Sequence, residues 1–530
     1  MTDNPAAAVG ASGTTFATRR EFMIVLPGLL LTLIIAMLDQ LVVSTALPRI
    51  VGDLGGLNHL AWVVTAYVLA STITTPLYGK LGDLYGRKRL LMIAIIIFLV
   101  GSALSGLSHT MDELIAFRAL QGLGAGGLMV GAIATIGDMV SPRERGQYMG
   151  YMMAAMMLAM IAGPLVGGYI TDSLSWRWIF YINMPIGGAA LVYLWATMHL
   201  PRRRVEHRVD YLGAAVIAIG ATAIVLLTTW GGTQYAWGSW EILLLAAITA
   251  ASIGAFFLVE GRAVEPVLPL HVFKNRNFSL ASGMSFLLGF VMLGALTFLP
   301  LYQQTVQHAS PTTSGLMLIP LMLGSTVTTL VAGQITTKTG RYKVLPVIGG
   351  VIMTIAIYLL THLGPHTTRL TSALYFVVLG VGMGFLMQIT SLIVQNSVEQ
   401  KDMGVASSSR AFFQQIGGSM GVSLFGVIFI HRLASTMASQ VPGAQVHAGL
   451  GSLDPATINN LPAVIKEAAF VGVSKGLDAV FWWTIPASAL VFLLALWVKE
   501  IPLRGRNDGP VAQPAAPLEP LEAAADLGAI

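Results

Sequence analysis

Residues 22–47 read FMIVLPGLLLTLIIAMLDQLVVSTAL, an apolar stretch that carries a single charged side chain, Asp39. A helix needs about 20 apolar residues to cross the roughly 30 Å of hydrocarbon in a bilayer. The stretch is long enough to span a membrane and too long for the apolar region of a secretory signal peptide. It therefore predicts a transmembrane helix that holds one acid inside the membrane.

The rest of the chain has a similar composition. Of its 530 residues, 55% are hydrophobic and only 10% are charged, whereas soluble domains carry about 25% charged residues. These fractions exclude a soluble or an intrinsically disordered chain. The lack of cysteine excludes a disulfide framework and thiolate chemistry. A formal net charge of +5 is too small to indicate a nucleic-acid partner.

Counting apolar runs of about 20 residues predicts an all-α polytopic membrane protein with fourteen spans. The runs are 22–47, 60–78, 90–107, 114–136, 147–171, 178–198, 212–230, 240–259, 278–301, 314–335, 344–362, 371–395, 410–431 and 477–498.

Lys and Arg give the orientation, because cytoplasmic loops carry an excess of them. With the N-terminus placed inside, 23 of the 30 basic residues fall on the inner side and six on the outer side, and Arg118 lies within a span. Both termini are therefore predicted to be cytoplasmic. "Inner" and "outer" refer below to the two ends of the molecule as this distribution predicts them.

Two pairs of similar segments suggest an internal repeat. The loop 79–89, GKLGDLYGRKR, has a glycine seven residues before a Gly-Arg pair, and so does the segment 333–341. Residues 46–48 and 298–300 both end in Leu-Pro. The offsets of 254 and 252 residues align run 1 with run 9 and run 2 with run 10. Two six-helix bundles around a central site, with runs 7 and 8 inserted, are therefore predicted.

Asp39 and Arg118 are the clearest functional candidates. Asp39 lies nine residues before Pro48, just past the outer end of run 1, and Arg118 lies near the outer end of run 4, so both fall at a similar depth. An unpaired charge there costs about 2.5–3.5 kcal/mol or more. The two residues either form a structural ion pair or line an aqueous cavity in which Asp39 carries a proton.

The loop 79–89 resembles the signature loop of the major facilitator superfamily between helices 2 and 3. Its residues also fit a plain positive-inside loop. The resemblance implies a charge latch at an inner gate. The gate residues are Gly79, Asp83, Gly86, Arg87 and Asp138, of which Asp138 is equally well explained as a solvated helix-end carboxylate.

Three further stretches are similar to motifs of the fourteen-helix drug/proton antiporters of the EmrB/QacA type. They are LDQLVVSTALP at 38–48, RALQGLGAG at 118–126 and AGPLVGG at 162–168. Another, WRWIFYINMPIG at 176–187, begins run 6. This resemblance implies proton coupling by Asp39 and Arg118. It also implies an antiport hinge at Gly163, Pro164, Gly167 and Gly168, although the same residues could form a helix-packing seam.

Other polar side chains in the spans have two interpretations. Tyr302, Gln303 and Gln304 end run 9, and Gln388 lies on run 12. Polar groups within spans usually bond to one another, so interhelical hydrogen bonds are the ordinary explanation and a substrate cavity is the alternative. Scattered histidines predict no metal site. The lack of a GxxxxGK[ST] motif argues against an ATPase motor, so we expect no cofactor and a proton gradient as the energy source.

The resemblance implies a transporter rather than an enzyme: a proton-coupled exporter of small amphipathic or cationic compounds, in the bacterial inner membrane, with both termini cytoplasmic. Expected partners are those compounds, protons and membrane lipids, with no nucleic acid and a monomeric state. Alternatives are a proton-coupled uptake symporter and an envelope lipid or siderophore exporter. The expected organisation is an N-tail (1–21), a first bundle (22–198), inserted helices (199–260), a second bundle (261–498) with an outer loop at 432–476, and a disordered tail (499–530).

Overall fold

A computed structural model describes residues 19–56, 59–139, 145–198, 210–231, 234–263, 270–398, 403–440 and 463–502. In these ranges the regular structure is helical, with no β-strand, and one isolated bridge joins Gly231 and Tyr235. This confirms the predicted all-α polytopic fold. Most of the predicted N-tail and C-tail lies outside the described residues.

The helices follow the apolar runs in order. They are α1 (Arg19–Leu54), α2 (Leu60–Tyr85), α3 (Arg87–Leu107), α4 (Met111–Met139), α5 (Arg145–Ser173), α6 (Trp178–Tyr181, continuing as Asn183–Thr197), α7 (Tyr211–Trp230), α8 (Trp240–Glu260), α9 (Arg276–Thr305), α10 (Pro311–Thr339), α11 (Val344–Leu360), α12 (Arg369–Asn396), α13 (Met403–Gln440) and α14 (Ala463–Trp497). A short 3₁₀ helix, Leu270–Lys274, precedes α9.

Eleven helices in the described part of the chain are long and apolar enough to cross a membrane. Two shorter apolar segments, Leu60–Thr75 and Val344–Leu360, lie at the second and eleventh predicted runs. The chain is thus a multi-pass membrane protein, while the count of fourteen spans stays a prediction.

Several helices extend beyond the predicted runs. At the outer end, α13 continues to Gln440 and α14 begins at Ala463, so both ends of the predicted loop 432–476 are helical. Counting apolar runs detects only the lipid-covered part of a helix. The extensions are held together by apolar packing outside it, where Leu433 and Met437 lie against Gly472.

The same six pairs of helices pack in each half of the chain. In the first half α1 contacts α4, α5 and α6, α2 and α3 contact α4, and α3 contacts α6. In the second half α9 contacts α12, α13 and α14, α10 and α11 contact α12, and α11 contacts α14. Adding eight to each helix number converts one set into the other. This is the packing expected of two repeated six-helix bundles; the limits assigned to the domains stay a prediction.

The two halves meet through α5 with α10, α2 with α13, and α1 with α9. The inserted pair α7 and α8 pack on each other, and α7 also contacts α2 and α13. The inserted helices therefore lie beside one seam between the halves.

Glycines allow α9 and α13 to approach very closely. A Cβ at Gly289 would collide with the carbonyl oxygen of Gln414, and one at Gly417 with the carbonyl oxygen of Phe286. Backbone atoms on both sides cannot yield as a flexible side chain can. This contact fixes the core of the second half.

We expect Gly289→Ala to destabilise the protein, because an added methyl group in a closely packed core typically costs about 1–3 kcal/mol. The measurement is the melting temperature of purified protein in detergent. Gly254→Ala on α8 is the matched control, since a Cβ there meets no atom within 4 Å. Equal melting temperatures for the two variants would contradict the close α9–α13 contact.

Candidate functional site

Asp39 and Arg118 form an ion pair inside the first half. Arg118 Nη1 lies 2.7 Å from Asp39 Oδ2, and the side chains of Arg118 and Asp39 are 1% and 0% exposed. The pair joins α1 to α4, as their matched depth in the sequence predicts. Because both charges lie where water is excluded, each depends on the other for its stability.

Two amides complete the shell around the carboxylate. Gln121 Nε2 and Asn183 Nδ2 each donate to Asp39 Oδ1 at 2.8 Å. Arg118 Nη1 also donates to Gln121 Oε1 at 2.8 Å, and Asn183 Nδ2 to Ser102 Oγ at 2.9 Å. The network thus joins α1, α3, α4 and α6 around one acid.

Arg118 also meets α2 and the aromatic start of α6. Its Nε donates to the carbonyl oxygen of Val63 at 3.4 Å. Its guanidinium carbon lies 4.0 Å from the ring centre of Tyr67 and 5.8 Å from that of Phe180. Aromatic faces attract a cation most strongly where water is excluded. These contacts hold the guanidinium in place without direct solvent.

This enclosure differs from one of the two interpretations of the sequence. Asp39 and Arg118 are together but line no opening in this conformation, because neither side chain is appreciably exposed. All three hydrogen bonds to Asp39 come from N–H donors, so its carboxyl oxygens act as acceptors. A proton can reach Asp39 only if the surrounding helices move.

The roles of Gln121, Asn183 and Ser102 were missed in the sequence. Gln121 and Asn183 lie within the quoted stretches 118–126 and 176–187, but nothing in those stretches indicates that both side chains bind Asp39. Buried amides in a span are nearly always hydrogen-bonded. The position of Asn183 inside α6 could therefore have indicated that it binds another polar side chain.

The predicted cavity residues of run 9 are buried near the outer end of α9. Tyr302, Gln303 and Gln304 are 0%, 0% and 5% exposed, so none offers a surface to a ligand in this conformation. Tyr302 donates to the carbonyl oxygen of Gly364, and Gln303 accepts from Ser314. Gln304 Nε2 crosses between the halves to the carbonyl oxygen of Thr45 at 2.7 Å. Hydrogen bonds to neighbouring segments, the ordinary explanation, account for these contacts, while Gln303 Nε2 is buried without a partner.

Gln388 is placed differently from these three residues. It is partly exposed on α12. Its Nε2 lies 3.7 Å from the place that a Cβ would occupy if Gly333 of α10 carried one. Of the four predicted cavity residues it alone keeps an accessible surface.

The stretch 163–168 packs on both halves. A Cβ at Gly163 would meet Leu41 of α1, and one at Gly168 would collide with the backbone of Pro311 at the start of α10. Pro164 lies inside a continuous α5, and its carbonyl oxygen lies against Gly315 of α10. Gly167 packs on Thr45. These contacts form a packing seam; whether it also acts as a hinge stays a prediction.

At the inner loop, Arg87 folds back over the end of α2. Its Nη1 donates to the carbonyl oxygen of Gly79 at 3.1 Å. Gly86 makes the turn with φ of 98°, a value that favours glycine. The side chains of Asp83 and Asp138 lie outside the described part of the structure, so the latch stays a prediction.

Potential metal sites were sought among the described residues. They contain no group of three His, Asp or Glu side chains placed to hold a metal ion.

Known proteins resemble this chain in sequence and fold. The pattern of the Major Facilitator Superfamily matches residues 29–422. The uncharacterized MFS-type transporter Rv1877 of Mycobacterium tuberculosis is 39% identical over 501 residues, 94% of this chain and 73% of the relative. The multidrug transporter protein MdtP of Bacillus subtilis is 37% identical over 418 residues, 79% of this chain and 77% of the relative. A solved bacterial homolog of the human lysosomal transporter Spinster, inward-facing and unoccupied, shares the fold with a TM-score of 0.65 at 14% identity, over 91% of this chain and 98% of that one.

The family match and these relatives identify the chain as a multi-pass membrane transporter, not an enzyme. The chain belongs to the Major Facilitator Superfamily, and its relatives include multidrug transporters.

We expect Asp39→Asn and Arg118→Gln each to destabilise the protein, because each leaves one buried charge without its partner, at a cost of about 3–5 kcal/mol. The double variant should lose less than the sum of the two. Melting temperatures in detergent would measure this. Additive losses would mean that the two side chains do not depend on each other.

Proposed function

We propose that this chain is a drug/proton antiporter of the fourteen-helix EmrB/QacA type, which exports small amphipathic compounds. It would act as a monomer in a bacterial inner membrane with both termini cytoplasmic, and a proton gradient would drive it without a cofactor. The observation that carries the proposal is the enclosed carboxylate of Asp39. The relatives named as multidrug transporters support export.

Protonation of Asp39 would loosen the first half. Each carboxylate oxygen already accepts from at least one donor, so a new O–H on either oxygen displaces a bond to Arg118, Gln121 or Asn183. Asn183 offers a replacement, because its buried Oδ1 has no hydrogen-bond partner and becomes an acceptor when the amide rotates. Proton binding would therefore change how α1 is held by α4 and α6.

The second half would respond through the seam between the halves. The hydrogen bonds that join the halves among the described residues lie in their outer and middle parts, from Asp172 with Thr312 N to Thr72 with Gln415. Such contacts suit a state that is closed on the outside. Release of α1 would open the bond between Gln304 and Thr45, since α1 carries both Asp39 and the carbonyl group that Gln304 binds.

We expect Asp39→Asn to abolish proton-driven efflux while the protein still inserts, because the amide cannot exchange a proton. The measurement is efflux of a fluorescent amphipathic dye from proteoliposomes with an imposed pH gradient. Asp112→Asn is the control, since that carboxylate is 87% exposed at the start of α4. Full efflux by the Asp39 variant would rule out its proton-carrying role.

A reversible cross-link tests alternating access. A Cβ on Gly426 of α13 would lie 2.9 Å from Cβ of Ala61 on α2, close to the roughly 3.5–4.5 Å of a disulfide. The chain has no cysteine of its own. We expect the pair Ala61→Cys and Gly426→Cys to lose transport on oxidation and regain it on reduction. Each single cysteine variant is the control. Undiminished transport by the oxidised pair would argue against opening at this seam.

A further inference from the structure

Helices α2 and α13 form one of the contacts between the halves, and polar side chains occupy most of its levels, a level being one pair of facing residues. Thr72 Oγ1 donates to Gln415 Oε1 at 2.7 Å, and the hydroxyl oxygens of Thr65 and Ser423 lie 3.2 Å apart. Thr65, Thr72 and Ser423 are at most 1% exposed. Neutral hydrogen bonds therefore hold this seam closed at two levels.

Between the two bonded levels lies a third, which holds Val68 on α2 and Ser419 on α13. Val68 lies three and four residues from the bonded threonines of α2, and Ser419 lies four residues from each bonded residue of α13. Positions three or four residues apart share one face of an α-helix. The next level outward keeps this spacing, because a Cβ on Gly426 would lie 2.9 Å from Cβ of Ala61. Ser419 and Val68 therefore face each other in the seam.

At this third level a hydroxyl group meets a hydrocarbon side chain. Ser419 and Val68 are 1% and 2% exposed. Ser419 Oγ has no hydrogen-bond partner among the described residues, whereas the hydroxyls of Thr65, Thr72 and Ser423 each have one. A buried hydroxyl without a partner has lost its bonds to water and destabilises the state that buries it. The penalty disappears when the seam opens, because water then reaches the hydroxyl.

The inserted helix α7 covers one edge of this seam. Its Val225 packs in one apolar cluster with Leu69 of α2 and Met420 of α13. Helix α7 thus contacts both halves beside the unmatched level. While the halves are closed, neither water nor lipid reaches Ser419 from that edge, so its hydroxyl stays without a partner.

We propose that the unmatched level of Ser419 and Val68 is a weak point of the outer closure, and that it sets how often the halves open toward the outside. A fully matched row would hold α2 on α13 more firmly. The unmatched hydroxyl brings the free energy of the closed state nearer to that of the open state, where a ligand can shift the balance. This inference rests on the proposed transport by alternating access and adds the residues that tune it.

The test measures how often this seam opens. Ala61 is 5% exposed at the outer part of the seam, and the chain has no cysteine of its own. Ala61→Cys therefore supplies a single thiol that a bulky, hydrophilic maleimide reaches only when the seam opens. The labelling rate of the purified protein in detergent then follows the fraction of open molecules.

We expect Ser419→Ala and Val68→Thr each to slow the labelling of Ala61→Cys about tenfold, which corresponds to about 1.4 kcal/mol. The first substitution removes the unmatched hydroxyl, and the second gives it a partner in a side chain of similar shape. One makes the seam less polar and the other more polar, so a shared direction excludes a general polarity effect. Thr65→Val should accelerate labelling about tenfold, because it leaves Ser423 without its partner.

Val491→Thr is the matched control, because Val491 is 0% exposed on α14, within the second half. An unchanged labelling rate in both Ser419→Ala and Val68→Thr would overturn the inference. So would an equal slowing in Val491→Thr, which would indicate a general effect of an added buried hydroxyl.

Failure of this inference can be distinguished from failure of the proposed export. A thiol at position 61 that reacts as fast as the one in Asp112→Cys, at a site whose side chain is 87% exposed, would show an open seam and overturn the inference. Dye efflux from proteoliposomes measures export independently. A chain that exports no dye, but whose labelling rates shift as expected, would refute export and retain the weak point.

Discussion

A carboxylate that is kept away from water determines how the first half is built. Asp39 would cost several kcal/mol if it were left unpaired in the membrane, and it is held by Arg118 and by two amides at 2.7–2.8 Å. These partners come from α4 and α6, so the three helices must converge at one depth. The need to pair this carboxylate therefore accounts both for how α1, α4 and α6 converge and for the polar side chains between them.

The second half repeats the helix packing without repeating the charge. The residue 252 positions after Asp39 is Val291, which is 1% exposed on α9. There α9 is held by backbone contacts at Gly289 and Gly417 rather than by an ion pair. One bundle thus contains a buried charge network, and the other is held together by close backbone packing.

The sequence predicted the features that depend on single residues or on long apolar runs. It located the helices and paired Asp39 with Arg118, because depth can be counted along a helix. It did not predict the target of Asn183, because rotation of α6 about its axis decides which side chains meet. It also gave Tyr302 and Gln303 a cavity as an alternative, since a polar side chain looks the same in sequence whether it faces a neighbour or an opening.

The halves meet through hydrogen bonds as well as through the close packing of α5 on α10, and these bonds have a mechanical consequence. Five hydrogen bonds join the described halves, including those of Gln304 and Asp172. Each contributes a net 0.5–1.5 kcal/mol or so, and breaking them lets water replace each partner. Hydrogen bonds of this strength can be exchanged when a ligand's affinities for two states differ by a few kcal/mol. The close backbone packing of α5 on α10, where Gly168 meets Pro311 and Gly315 meets Pro164, must also loosen if the halves are to separate there.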